Sequence, residues 1–337
     1  MKPTDFSKYL TDFLTRYLYH ERGSSSNTII AYRDSFILFI TFMNQVKSIK
    51  AEKLYMKSIT KASIIEYLHW LQSERKCSDT TRNLRLAALH SFFKYLQYQN
   101  PDNLYEYQDI MSIKMKKARK KALNYLTVEG IKLLLEQPDV TTKRGRRDLA
   151  LLSLMYDTGS RVQEVIDLTP STVRLDKPYT IQITGKGNKT RIVPLLKEQV
   201  KILRNYLTEL GLLKPQTRSY PMFSNSRQEK LTRAGVTYIL SKYVDKARKR
   251  DPKLIPEKLS CHSLRASKAM HLLQAGVNLV YIRDILGHVS VQTTEIYARA
   301  DSKQKREAIE KAYVNVSPSQ EPAWENNENL LSWLKSF

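Results

Sequence analysis

Residues 179–194 read YTIQITGKGNKTRIVP, and this stretch settles the fold class. From Tyr179 to Thr184 polar and apolar side chains alternate as a half-buried strand requires. Gly185-Lys-Gly-Asn-Lys189 supplies a turn, and Thr190-Arg-Ile-Val-Pro194 predicts a second strand. The two make a β-hairpin with Lys186 at its tip. Almost everywhere else the apolar spacing is helical. The expected fold is therefore mainly α, with one small antiparallel β-sheet set into an α-rich half of the chain.

Upstream, the first hundred residues read as helices alone. Phe6, Tyr9, Leu10, Phe13, Leu14, Tyr17 and Leu18 recur at helical spacing over 5–20. The turn Gly23-Ser-Ser-Ser-Asn27 offers an N-cap for a helix running to about Asn44, with Tyr32, Phe36, Phe39, Ile40 and Met43 inward. A third helix, over about 61–73, follows Thr60. A fourth runs from about Ser78 to Gln99, with Leu84, Ala88, Phe92 and Leu96 on one face, and Asn100-Pro101 ends it. The spacing predicts an all-α domain over 1–113 and a basic linker over 114–122. The second domain, 123–316, opens with Thr127 capping VEGIKLLLEQ. Helices are expected around 146–157, 161–168, 197–211, 232–250, 262–275, 279–286 and 290–298. A tail over 317–337 has a Pro-bounded hinge and a short amphipathic helix holding Leu330, Trp333 and Leu334. No internal repeat is visible.

The chain has 337 residues, and 56 Lys+Arg stand against 33 Asp+Glu, a formal net charge of +23. Two cysteines, Cys77 and Cys261, are too few for a disulfide framework or a thiolate metal cluster. No run approaches the ~18 apolar residues of a membrane span, and the first residues lack the apolar core of a secretion signal. These features point to a cytoplasmic, nucleoid-associated protein with no membrane partner. The charge is clustered: Lys114–Lys121 reads KMKKARKK, and KRGRR (143–147) and KYVDKARKRDPK (242–253) follow. One such run is commonly just a solvated face. Three along a folded chain with no acidic tail favour a phosphate-tracking surface, so nucleic acid is the expected partner.

Five segments of the second domain carry polar residues that a helical core does not need. They are Thr158-Gly-Ser-Arg-Val-Gln-Glu164, Gly185-Lys-Gly-Asn-Lys189, His262-Ser-Leu-Arg265, Leu286-Gly-His288, and Tyr297 nine residues beyond that histidine. Each alone has an ordinary explanation: a surface arginine after a turn, a basic hairpin, a capped helix start sharing one face, a histidine at a helix C-terminus, one tyrosine among 20.

In this order and spacing the five segments resemble the tyrosine recombinases, the phage-integrase family, through TGSRxxE, GKGNKxRxVPL, HxLR and LGH followed by Tyr297. The resemblance covers both domains and implies a C-shaped DNA clamp, with a helical core-binding domain and a catalytic domain. It implies that Tyr297 attacks a phosphodiester to leave a 3′-phosphotyrosine link, and that Arg161 and Arg265 hold the scissile phosphate. Lys186 would protonate the leaving 5′-oxygen, His262 would take the tyrosine proton, and His288 would hydrogen-bond the phosphoryl oxygen. Glu164 would orient the arginines. Lys114, Lys116, Lys117, Arg119, Lys120, Lys121, Lys189 and Arg191 would contact the DNA backbone. No metal and no cofactor is implied, because arginines, a lysine and histidines supply the positive charge that Mg²⁺ gives elsewhere. The implied partners are double-stranded DNA at inverted-repeat-type sites and a homo-tetramer, alone or with a related recombinase. The tail helix would dock on a neighbouring protomer or fold back on its own domain. Ala266-Ser267 departs from the His or Thr that many relatives carry there, and Tyr313 is a rival nucleophile with the wrong spacing from Leu286-Gly-His.

Within the family, integration, excision or transposition of a mobile element competes with Xer-like resolution of chromosome dimers. The absence of an evident arm-site-binding domain before the first helix sets this chain apart from the larger phage integrases. Outside it stand a type IB topoisomerase-like enzyme and a non-catalytic DNA-binding factor.

Overall fold

The computed structural model describes residues 2–118 and 123–300, together with Ser332, Leu334 and Lys335; of Lys186 it describes the main chain. Arg119, Lys120, Lys121, Tyr313 and nearly all of the expected tail helix lie outside the described residues. The chain divides into two compact units, Met1–Lys121 and Ala122–Phe337.

The first unit is a helical bundle whose starts are set by hydroxyl caps. Thr4 opens α1 (Asp5–Asp12), which continues into a π-helical stretch, Phe13–Glu21. Ser25 caps α2 (Ser26–Gln45), Thr60 caps α3 (Lys61–Ser73) and Ser78 caps α4 (Asp79–Gln99). Each cap oxygen accepts a main-chain N–H that the helix itself leaves unpaired. A fifth helix, α5 (Leu104–Met111), lies against α4. The sequence reading misses it, because eight residues with only Tyr107 and Ile110 buried carry little periodicity. Rings fill the core: Phe13 meets Phe92 edge-on at 5.3 Å and Phe36 at 6.2 Å, and Phe39 meets Tyr67 at 5.2 Å. The expected inward face of α4 needs one correction. Leu84 is 65% exposed, whereas Leu86, Leu89, Phe92, Phe93 and Leu96 are buried. Of the expected face, Ala88, Phe92 and Leu96 are buried and Leu84 alone lies off the stripe.

The stretch expected to be linker begins on this unit's surface. Ile113 closes the core, Lys116 N–H donates to Asn83 Oδ1 at 3.0 Å, and Asn83 Nδ2 donates back to Lys116 O at 2.7 Å. Lys114, Lys116 and Lys117 are exposed.

In the second unit α6 (Val128–Leu135), capped by Thr127, and α7 (Lys143–Thr158) precede the short α8 (Val162–Ile166). The sheet follows, β1 (Val173–Arg174), β2 (Thr180–Thr184) and β3 (Thr190–Pro194), antiparallel in the order β1-β2-β3. β1, two residues long, has no period to read. Ile181 pairs with Val193 and Ile183 with Arg191, so Ile181, Ile183 and Val193 face the core. Helices α9 (Lys197–Glu209), α10 (Arg233–Arg250), α11 (Cys261–Gln274), α12 (Leu279–Leu286) and α13 (Val291–Ala300) complete the described part. A separate small core forms where α11, α12 and α13 meet: Ala266, Ala269, Met270, Leu273, Ile282, Leu286 and Tyr297.

Candidate active site

The site begins at the end of α7. Gly159 adopts φ +59°, and a Cβ there would lie 2.5 Å from Leu286 Cδ2, so both its handedness and its lack of a side chain are required. The left-handed step turns the chain to present Arg161 at the start of α8. The Arg161 main-chain N–H donates to Glu164 Oε2 at 3.0 Å and its Nη1 to Oε1 at 2.8 Å. The Arg161 side chain is 42% exposed, an arginine held along one edge with the other edge open. Glu164 is buried. Burial alone would raise its carboxyl pKa, but Arg191 and Arg161 outweigh that and hold it below the ordinary glutamate range.

Arg265 stands on α11, 1% exposed. Its Nη1 donates to Gly159 O at 2.7 Å and its Nη2 to Leu286 O at 2.6 Å, tying together the two turns that flank the site. Burial and then the neighbouring Arg161 lower it to about 10, so it remains charged at neutral pH. His262 lies one turn earlier on the same helix face, with its outer side open to solvent. Partial desolvation, Arg265 and Arg161 push its pKa down and keep the ring neutral.

Gly287, at φ +65°, caps α12 and delivers His288. His288 Nδ1 lies 2.9 Å from Thr294 Oγ1, and the ring stacks over that of Tyr297, 6.3 Å between centroids and 12° between planes. Burial, then Arg265 and Arg161, depress it to about 4. Tyr297, on α13, is 1% exposed; burial raises its phenol while Arg265 and Arg161 pull the other way. Arg161, Glu164, His262, Arg265, His288 and Tyr297 thus share one electrostatic neighbourhood. The main chain of Lys186 sits in the β2–β3 turn, and Lys189 is exposed beside it.

Arg191 differs from expectation. Sequence reasoning sets it beside Lys189 on a phosphate backbone, yet its side chain is only 11% exposed. The strand's alternation puts it on the inward face with Val193, where it meets Glu164 and the end of α12. Thr294 was not singled out at all; six residues from His288, it carries no local signal. Ser267, the departure from the family pattern, is structural: it donates to Ser263 O and accepts Leu126 N–H, both at 2.8 Å. Among the described residues no three His, Cys, Asp or Glu side chains gather as a metal would need. Nor is any helix among them long and apolar enough to cross a membrane.

The depressed histidines make stability depend on pH. Burial first of all holds His90, His262, His271 and His288 below the ordinary value of 6.5, so the unfolded chain takes up their protons first. The folded state therefore loses stability as pH falls through about 6.5, and the His288 contribution is fully lost near 4. The thermal midpoint is expected to be lower at pH 5 than at pH 7.5, with a smaller drop in His288→Asn. A midpoint unchanged or higher at pH 5 would overturn this.

Residues 109–304 match the phage integrase family, and residues 11–100 match its N-terminal SAM-like domain. The putative integrase/recombinase y4rC of Sinorhizobium fredii is 33% identical, across 100% of this chain and 99% of that protein. The tyrosine recombinase XerD of Listeria monocytogenes is 31% identical over 86% of this chain and 92% of its own. Among solved structures, XerH site-specific recombinase bound to palindromic difH substrate in a post-cleavage complex superposes with a TM-score of 0.68 at 25% identity, covering 88% of this chain and 82% of that one. The Tn1549 transposon integrase in complex with transposon right end DNA shares the fold, with a TM-score of 0.68 at 15% identity, covering 90% and 98%.

Proposed function

The chain belongs to the phage integrase family of tyrosine recombinases and is a site-specific DNA recombinase, and from that premise we propose that it moves a mobile element with Tyr297 as its nucleophile. The observation that carries the site reading is the convergence, around one buried phenol, of a buried arginine, a half-open arginine and two neutral histidines drawn from three other chain segments.

The phenolic oxygen of Tyr297 attacks the scissile phosphorus in line, and the proton passes to neutral His262. As the Tyr297–phosphorus bond forms, the bond from phosphorus to the 5′-oxygen breaks, and that oxygen takes a proton from Lys186. Arg161 and Arg265 neutralise the non-bridging oxygens, where planar, permanently charged forks suit the geometry better than lysine. A Thr294 hydroxyl donating to His288 Nδ1 leaves Nε2–H free to donate to a phosphoryl oxygen. The phosphotyrosine bond retains the phosphodiester's energy, so a 5′-hydroxyl from another strand reverses the step without ATP. Burial keeps the phenol out of water until the phosphate enters. Exposed Lys114, Lys116, Lys117 and Lys189 supply backbone contacts, to which Arg119, Lys120 and Lys121 add. We further propose four protomers around two duplexes carrying inverted-repeat-type sites, in the cytoplasm, with the core-binding domain over 1–113, the linker over 114–122 and the catalytic domain over 123–316.

The name of the full-length relative from S. fredii, an integrase/recombinase, favours the mobile-element role. The Xer relatives keep chromosome-dimer resolution as the second reading. Nicked suicide duplexes built from DNA flanking the protein's own gene test both. A denaturant-stable protein–DNA band with a free 5′-hydroxyl is expected, mapped to the ends of an element. An adduct confined to a single chromosomal site favours the Xer-like role, and tight binding without an adduct removes the catalytic reading.

A further inference from the structure

The guanidinium of Arg191 joins three of the five motif segments. Its Nη2 donates to Glu164 Oε2 at 2.7 Å, beside Arg161, and its Nε donates to Ile285 O at 2.8 Å, in the last turn of α12 before His288. A Cβ added to Gly287 would meet its Nη1 at 2.8 Å, so the glycine that starts the His288 turn also makes the slot for this side chain. A Cβ on Gly185 would lie 3.6 Å from the same nitrogen and 3.1 Å from Glu164 Oε1. Arg191 itself belongs to β3, directly beyond the turn that carries Lys186, and that turn is closed by Gly185 N–H donating to Lys189 O at 2.8 Å. Lys189, two residues earlier, is exposed, as a contact to the outer DNA backbone requires. Arg191 is inward and engaged on two sides.

We propose that Arg191 is a positioning residue for strand cleavage: it locks the Lys186 hairpin, the Arg161–Glu164 pair and the His288 turn into one register, and it is not a DNA-backbone contact. The physical reason is geometric. One planar fork bonded to a carboxylate on α8 and a carbonyl on α12 fixes the distance between two segments that are far apart in sequence. Lysine has a single donor centre and cannot span both. Displacements of about 1 Å in such a constellation reduce rates by roughly 100-fold.

The proposal rests on the recombinase reading of the same site, and its test separates the two. Wild type, Arg191→Met and Arg191→Lys are compared in covalent adduct formation on the suicide duplexes and in binding of a plain duplex as salt is varied. For Arg191→Met, adduct formation is expected to fall by about 100-fold, with affinity and salt slope as in wild type. Arg191→Lys, which keeps a cation against Glu164, should fall between the two and serves alone if the methionine variant does not fold. A salt slope shallower by about 1 in Arg191→Met would mark a phosphate contact and overturn the proposal. So would adduct formation within about 2-fold of wild type. No adduct from wild type would remove the reading beneath it and overturn both. Gly287→Ala adds an independent check. Its Cβ should harm cleavage less in the Arg191→Met background, where its collision partner is gone, and strictly additive effects would count against the lock.

Discussion

Tyr297→Phe is expected to form no covalent adduct with DNA, yet to fold and bind duplex as wild type does. The substitution removes one oxygen and keeps the ring, which packs with Ala266, Met270, Ile282 and Leu286 and stacks on His288. Burial already raises the phenol pKa, so the hydroxyl is neutral in the folded protein and its loss removes no buried charge. The stability change should stay within about 1 kcal/mol. The chemical loss is total, because without the oxygen there is no atom to bond phosphorus. Denaturing gels on suicide duplexes decide it, with thermal unfolding and gel-shift controls. An adduct that persists in Tyr297→Phe and disappears in Tyr313→Phe would move the nucleophile to Tyr313.

Arg265→Ala is expected to damage both chemistry and fold. Removing a preorganised donor to a developing oxyanion costs about 10²–10³-fold in rate. It also strips the carbonyls of Gly159 and Leu286 of charged donors and leaves a cavity at a position that is 1% exposed. Each buried acceptor left unpaired costs about 1–3 kcal/mol. Relief works against this, since burial and Arg161 already disfavour the charged form. Those opposing effects leave a net destabilisation of roughly 2–4 kcal/mol. Arg265→Lys keeps the charge but cannot reach both carbonyls, so its cleavage defect should exceed its stability defect. Adduct rates and urea unfolding measure the two separately. Stability within about 0.5 kcal/mol of wild type for Arg265→Ala would show that the two turns are held by something else.

Much of this was legible in the chain itself, for identifiable reasons. Hydroxyl caps at Ser25, Thr60, Ser78 and Thr127 sit where helices begin, because capping is a contact over three residues. The hairpin was visible because alternation over 180–184 and 190–194 brackets a glycine-bearing turn. Elements too short to show a period were missed: β1, with two residues, and α5, with eight. The misassignment of Leu84 on α4 has a related cause, since a helix with apolar residues on several sides does not declare where the covered stripe ends.

The candidate residues divide in the same way. Order and spacing along the chain sufficed to pick out Arg161, Glu164, Lys186, His262, Arg265, His288 and Tyr297, and with them a family and its chemistry, because these are properties of residue type and local sequence. Direction and partnership were not. Whether a cation faces DNA or the protein interior depends on which side of a strand the core covers, and that is decided by packing among segments a hundred residues apart. The inward turn of Arg191, the clamp of Arg265 on Gly159 and Leu286, the Thr294 contact to His288 and the burial of Tyr297 all arise only once α8, β3, α11, α12 and α13 have been packed together.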